Sequence, residues 1–252
     1  MLHIFRKIRN SMIQQNRVTK YILYAFGEIL LVVLGILIAL QVNNWNQSQQ
    51  LIEKEVGYLK NIKANLDEDL AVANSVLEFN KQKRAVFDSL VVYFDANIDR
   101  RKITEFLVPT HMPIISSFEL FQINKTAFEN MKSANDISII SDEDLRYQLS
   151  DYYANDPLIG TQERVFESSR TFRAYITRKM MHKEAIDFYL KTNSLIPKFE
   201  ELEDFRGEID FYYNYFDVQV VMDAQDRYVQ EFINQIKLLI KAIERELEGS
   251  SS

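Results

Sequence analysis

The feature that most constrains this chain is an apolar stretch near its N-terminus. Residues 21–40 read YILYAFGEILLVVLGILIAL, which is twenty residues with a single charged side chain, Glu28. As an α-helix the stretch is about 30 Å long, at 1.5 Å per residue, which matches the hydrocarbon core of a bilayer. Tyr21 and Tyr24 stand at one end and Trp45 just beyond the other, where interfacial aromatic residues are expected. We therefore predict that this stretch spans a membrane.

The basic residues before the stretch predict its orientation. Residues 1–20 contain no acidic residue and five basic ones, which are Arg6, Lys7, Arg9, Arg17 and Lys20. Because positive charge is retained on the cytoplasmic side, we expect a bacterial inner-membrane protein with a cytoplasmic N-terminus and a periplasmic C-terminal domain. The net charge of the whole chain is −6, so the part that follows the basic segment is strongly acidic. This acidic charge argues against nucleic acid as a partner. The lipid bilayer is a predicted partner because of the apolar stretch.

A cleaved signal peptide is the competing interpretation of the apolar stretch. The uninterrupted apolar run Ile29–Leu40 has the length of a signal peptide, but no small-x-small cleavage site follows it, so an uncleaved span is favoured. Apolar residues alternate with the basic ones before the span. This pattern suits an amphipathic helix on the anionic inner leaflet, and a purely topogenic role of the charges is the alternative.

Glu28 is the unusual residue of the stretch, because an acid inside a bilayer costs a few kcal/mol and is a functional hypothesis by default. At 100° per residue it shares a helix face with four others, which are Val32, Gly35, Ala39 and Val42. Gly35 and Ala39 form a small-xxx-small step that permits close helix approach. The face is therefore a candidate helix–helix interface, with a second copy or with another membrane protein. The alternatives are a protonated or snorkelling side chain, and ion or proton transfer.

The rest of the sequence has the pattern of long helices. All four prolines lie in the middle of the chain, at Pro109, Pro113, Pro157 and Pro197. Apolar residues repeat every seven positions in two flanking segments. The first repeat contains Ile52, Leu59, Leu66 and Ala73, and the second contains Val229, Ile236 and Ile243. Such stripes are typical of packed helices, and the two can pack within one chain or pair between copies.

The predicted fold class is all-α, with an N-terminal transmembrane helix that continues into an elongated periplasmic helical bundle. The predicted organisation is a basic amphipathic cytoplasmic segment 1–20, a transmembrane helix 21–43, a helical periplasmic domain 44–249 and a loose tail 250–252. Within the domain we expect a stalk helix 44–98, a middle subdomain 104–160 and long helices 161–192 and 208–248. A break in the stalk is expected, if anywhere, near Asn80. Ser141 and Asp144 resemble a capping box.

Residue types that carry chemistry are few and scattered. The chain has no cysteine, and its three histidines, His3, His111 and His182, lie far apart and are expected to be structural or on the surface. No nucleophile elbow and no glycine-rich phosphate loop occurs in the sequence. We therefore predict no catalytic residue, no cofactor, no metal and no small-molecule substrate.

Two residue clusters allow more than one interpretation. The acidic run at Glu200, Glu201, Glu203 and Asp204 lacks calcium-loop spacing, so a solvated helix face is favoured over a divalent-cation site. Five aromatic residues follow within six positions, at Phe211, Tyr212, Tyr213, Tyr215 and Phe216. Core packing is favoured for this aromatic run, with a protein interface and a sugar-stacking site as alternatives.

The N-terminal residues resemble a family of uncharacterised single-span, membrane-anchored proteins of Bacteroidota, a domain-of-unknown-function family. The resemblance rests on FRKIRN at 5–10 and KYILYAFGEILLVVLGILIALQVNNWN at 20–46, and more weakly on NKTAFENM at 124–131 and LRYQLSDYY at 145–153. Its recurrent positions correspond here to Gly27, Glu28, Gly35, Asn43, Asn44 and Trp45. A serine-glycine turn of the family is replaced by Ala134-Asn135-Asp136. The resemblance implies location and topology and carries no assigned activity.

Three functions remain open on the sequence alone. The favoured one is a non-catalytic interaction or scaffold module that associates through the Glu28 face and its helical body. The second is an accessory or sensor subunit of a cell-envelope complex, which would need a partner to relay a signal because the cytoplasmic segment is short. The third is a carboxylate-dependent periplasmic enzyme.

Overall fold

The computed structural model describes residues 18–95, 111–154, 159–180, 183–192 and 207–249. Within these ranges the helices are α1 Val18–Asp95, α2 Met112–Ser116, α3 Thr126–Ser133, α4 Glu143–Ala154, α5 Ile159–Met180, α6 Lys183–Thr192 and α7 Ile209–Gly249. A short 3-10 helix, Ile137–Ile139, lies between α3 and α4. The described ranges contain no β-strand, and the predicted all-α class is confirmed.

The longest element is α1, which is continuous from Val18 to Asp95 and contains both the apolar stretch and the predicted stalk up to residue 95. The break expected near Asn80 is wrong, because Asn80 is helical and its side chain is buried. Residues 96–98 of the predicted stalk lie outside the described residues. The chain forms two compact units, Met1–Val56 and Gly57–Ser252.

The second unit contains two apolar clusters, and the larger one is called the first core cluster here. Both heptad stripes contribute to it, with Leu59, Ile62, Leu66 and Ala73 from α1 and Val229, Ile233, Ile236 and Ile243 from α7. Helices α3 and α4 add Phe128, Met131, Leu149 and Tyr152. The two stripes therefore share one core within a single chain, and Lys63 Nζ lies 3.3 Å from Glu244 Oε1 beside it.

The second core cluster is smaller and rich in aromatic rings. It consists of Phe87, Leu90, Ile115, Phe172, Ile176, Phe211, Val218 and Met222. The ring centroids of Phe87 and Phe172 are 5.0 Å apart in an edge-to-face arrangement, which aromatic quadrupoles favour. This cluster joins α1, α2, α5 and α7. Along α1, residues 80–83 separate it from the first core cluster.

The turn after α3 shows how the chain replaces an expected glycine. Asn135 has φ = 59°, the left-handed conformation that asparagine tolerates better than other non-glycine residues. The backbone N–H of Asn135 donates to Lys132 O at 2.9 Å and that of Asp136 donates to Met131 O at 3.1 Å. These two bonds form a Schellman motif, so the helix ends as it would with glycine.

The start of α4 differs from the prediction. Asp142 Oδ1 accepts a hydrogen bond from the backbone N–H of Leu145 at 2.9 Å and is therefore the N-cap side chain. The predicted capping role of Ser141 is wrong, since its hydroxyl donates to Glu246 Oε1 at 2.8 Å instead. Asp142 competes successfully because it directly precedes the first helical residue.

Candidate functional site

The apolar stretch of α1 is the first candidate site, because its side chains lie open to their surroundings. α1 is the one helix among the described residues that is long and apolar enough to cross a membrane. Its apolar side chains from Ile22 to Val42 are exposed, for example Leu31 at 73%. A water-facing surface of this kind is unfavourable at about 25 cal/mol per Å². The described residues of the chain leave this stretch uncovered.

The predicted interface face is present on α1 as a continuous row. Glu28, Val32, Gly35, Ala39 and Val42 are all exposed on this helix. A side chain built at Gly35 would meet no atom within 4 Å, so the backbone is accessible to a neighbouring helix at this point. The role of the row as an interface stays a prediction.

The structure describes only some of the other residues singled out in the sequence. Trp45 is described and 64% exposed, and Tyr24 is half-buried. For Tyr21 and Lys20 the structure describes only the helical backbone. Arg6, Lys7, Arg9 and Arg17 lie outside the described residues, as do His3, His182 and the acidic run 200–204. His111 directly precedes α2 and is half-buried.

A buried polar layer crosses the second unit between its two core clusters, with Lys83 at its centre. The Lys83 side chain is among the most completely buried of the chain. Its ammonium group donates to Ser117 O at 2.8 Å and to Ser169 Oγ at 2.9 Å. Burial lowers the pKa of Lys83 to about 8, because desolvation disfavours the charged form.

The same layer fixes how α1 and α7 pair. Asn80 Nδ2 donates to Gln225 Oε1 at 2.8 Å and to Asp226 Oδ1 at 2.7 Å. Arg84 adds ion pairs to Asp223 at 2.9 Å and to Asp226 at 2.6 Å. A shift of α7 along α1 would separate Asn80 from Gln225 and leave two buried amide groups without these partners, so the layer favours the observed register.

Residues 117–125 form a segment without regular secondary structure beside this layer. Side chains of neighbouring helices make hydrogen bonds to its backbone. Gln162 accepts from the Phe121 backbone N–H and donates to Phe121 O, both at 2.7 Å. Gln225 Nε2 donates to Glu119 O at 3.0 Å. Asp69 Oδ1 accepts from the Asn124 N–H at 2.8 Å. The segment thereby satisfies buried backbone groups without any β-sheet.

Asp69 is another buried charged residue of the second unit. Besides Asn124 it accepts a hydrogen bond from the Tyr152 hydroxyl at 3.0 Å. Burial raises the pKa of Asp69, and the two hydrogen bonds act against this rise by stabilising the carboxylate. The group holds the 117–125 segment and α4 to α1, which is a structural role.

The polar layer contains one pair of side chains whose spacing resembles that of a catalytic pair. A lysine amine 2.9 Å from a serine hydroxyl is the geometry of a serine–lysine pair. Both side chains are 1% exposed, so a substrate cannot reach them. Among the described residues there is also no group of three acidic, histidine or cysteine side chains that could hold a metal ion. Lys83 and Ser169 therefore contribute to the packing of the second unit.

Sequence reasoning missed this layer although a signal was available. The heptad positions of α1 continue beyond Ala73 as Val76, Asn80, Lys83, Phe87 and Leu90. Asp69, Asn80 and Lys83 thus stand at positions where an apolar side chain is the rule. A polar residue at such a position indicates a buried partner, and Gln225 is the corresponding interruption in α7.

The aromatic run is divided between the core and the surface. Phe211 is buried in the second core cluster, and Tyr215 packs against that cluster. Tyr213 and Phe216 are 67% and 65% exposed, and Tyr212 is partly exposed. The expectation of core packing is therefore correct for Phe211 and Tyr215, while Tyr213 and Phe216 lie on the surface.

Comparison with known proteins finds one similarity. A family model described as a family of unknown function, DUF6090, matches residues 28–157, just over half of the chain. No curated protein matches the chain, and no solved structure matches it. The matched range begins within the apolar stretch and extends through α1, the 117–125 segment and α4, so it includes Asp69 and Lys83.

Proposed function

The chain belongs to the family of unknown function DUF6090, and we propose that it is a single-span bacterial inner-membrane protein that acts as a non-catalytic interaction module. The observation that carries the proposal is the exposed apolar stretch of α1, from Ile22 to Val42. Its length equals a bilayer core and its one charged residue is Glu28. The five basic residues before it support a cytoplasmic N-terminus and a periplasmic second unit.

The topology is tested by fusion and extraction. A C-terminal alkaline-phosphatase fusion is expected to be active, because that enzyme folds in the periplasm, and the protein is expected to stay in the membrane pellet after carbonate. An inactive fusion combined with carbonate release would overturn the single-span proposal.

The interaction surface that we propose within the membrane is the row of Glu28, Val32, Gly35, Ala39 and Val42. Gly35 and Ala39 allow two helix backbones to approach closely, and the Glu28 carboxyl can form a hydrogen bond across the contact in a medium without water. A second copy of the chain presents the same row and is the simplest partner.

Self-association is tested by a membrane two-hybrid assay. Gly35→Leu is expected to reduce the signal most, since its side chain separates the backbones, and Glu28→Gln to reduce it less. Gly27→Leu is the matched control, because Gly27 lies about 80° from Gly35 around the same helix, at 100° per residue, and is equally open. An equal signal for Gly35→Leu and the unmodified chain would contradict the interface.

An accessory role in an envelope complex is distinguished by its binding partners. Pull-down of the tagged chain from native membranes is expected to recover copies of the chain itself under the proposed function. Repeated recovery of one larger complex would favour the accessory subunit instead.

A further inference from the structure

The N-terminal half of α7 is apolar on two opposite faces. Its inward face contributes Phe211, Val218 and Met222 to the second core cluster. Its outward face contains Ile209, Tyr213, Phe216 and Val220, which are spaced by four, three and four residues and so form one stripe. A helix with two apolar faces can pack against a different neighbour on each of them.

This outward stripe, called the α7 stripe here, is open. Ile209, Tyr213 and Phe216 are 64%, 67% and 65% exposed, and Val220 is 40% exposed. A contiguous apolar patch on a folded surface marks an interaction site more often than chance, and tyrosine and phenylalanine are enriched in such sites. The stripe ends where Arg227 and Glu231 take the same helix face.

The charges beside the α7 stripe indicate what covers it. Residues 209–226 contain four aspartates and no lysine or arginine. Asp210 and Asp217 are exposed and flank the stripe on one side, and Asp223 flanks it on the other. Asp223 pairs with Arg84, while the other two flanking carboxylates lie in a stretch of α7 without any basic side chain. A second copy of the stripe would bring like charges together, which disfavours it as the occupant.

We propose that the α7 stripe binds a basic amphipathic helix of a partner protein. The apolar face of such a helix would cover Tyr213 and Phe216, in the manner of a helix bound in a hydrophobic groove. Its lysine or arginine side chains would face Asp210 and Asp217. This site lies in the second unit and does not depend on the proposed contact between membrane spans.

Binding is tested with the full chain in zwitterionic lipid nanodiscs and a fluorescent model peptide. The peptide is an 18-residue helix with leucines on one face and lysines on the other, and the matched peptide has glutamates in place of the lysines. Fluorescence anisotropy is expected to show at least tenfold tighter binding of the lysine peptide. Empty nanodiscs give the lipid background.

Variants of α7 locate the site. Phe216→Ser is expected to weaken lysine-peptide binding at least fivefold, because it removes apolar area from the stripe. Leu238→Ser is the matched control, since Leu238 lies on the same face of the same helix and is 64% exposed, but among charged residues. It is expected to change binding less than twofold. Asp210→Asn with Asp217→Asn is expected to weaken binding and to reduce its dependence on salt.

Three binding results would overturn the proposal. These are equal binding of the two peptides, no binding of either, or an equal loss from Leu238→Ser and Phe216→Ser. A change in oligomeric mass caused by Phe216→Ser would show instead that a second copy occupies the stripe. Since Gly35→Leu leaves α7 unchanged, peptide binding that persists in that variant separates this site from the one in the span.

Discussion

Two parts of the same helix are stabilised in different ways. Residues 22–42 of α1 have apolar side chains on every face, and all but Tyr24 and Ala25 are exposed. In residues 59–90 the buried apolar side chains all lie at heptad positions, and they belong to two core clusters. The uniform pattern matches a surrounding apolar solvent, whereas the periodic pattern matches packing against other helices of the chain. The difference teaches that the distribution of apolar residues around a helix indicates what surrounds it.

The comparison is tested most strongly by removing one large side chain from each part. Phe87→Ala is expected to lower the free energy of unfolding of the body by about 3–5 kcal/mol, because Phe87 is fully buried and its loss leaves a cavity. Leu34→Ala, in the exposed part, is expected to leave this free energy unchanged. Urea unfolding in detergent, followed by the near-ultraviolet circular dichroism of the aromatic residues, measures both. Equal losses would contradict the distinction.

A second test concerns the buried polar groups of the second unit. Gln162→Ala is expected to destabilise the body by about 2–4 kcal/mol, because it leaves the N–H and the carbonyl of Phe121 without their partner. The same urea titration measures this change. Gln148→Ala is the control, since Gln148 is exposed on α4. If both variants behave alike, the 117–125 segment does not depend on Gln162.

The smallest expected effect is a pH dependence that originates at Lys83. Its pKa is about 8 when folded, below the ordinary value of 10.5, so the unfolded chain binds more protons between these values. Stability therefore rises with pH in this window, by about 1–2 kcal/mol from pH 8 to 9.5.

Lys83→Met is expected to remove this rise, whatever it does to stability at neutral pH. Urea midpoints at several pH values measure the slope. The window ends near pH 10, because burial raises the pKa of Tyr153 and the titration of tyrosines there acts in the opposite sense. If stability still rises with pH in the Lys83→Met variant, the rise originates at another titratable group.

Much of the fold could be predicted, because helical periodicity is a local property. The heptad repeat identified Leu59, Leu66 and Ala73 correctly as buried, whereas Ile52, the first residue of the same repeat, is exposed. The N-cap residue of α4 could not be identified from sequence, because Ser141 and Asp142 are both good N-cap residues. Ser141 was predicted, and the structure has Asp142. The split of the aromatic run between Phe211 and Phe216 also required the packing of α7.

The sequence by itself determined the helical class, the apolar stretch with Glu28, and the two heptad stripes, because each depends on residues within a few turns of one helix. The tertiary structure decided the partners of Lys83, Gln162 and Asn80. Asn80 and Gln225 are 145 residues apart in sequence. Their hydrogen bond exists only once α1 and α7 have packed in one register, and no local pattern specifies that register.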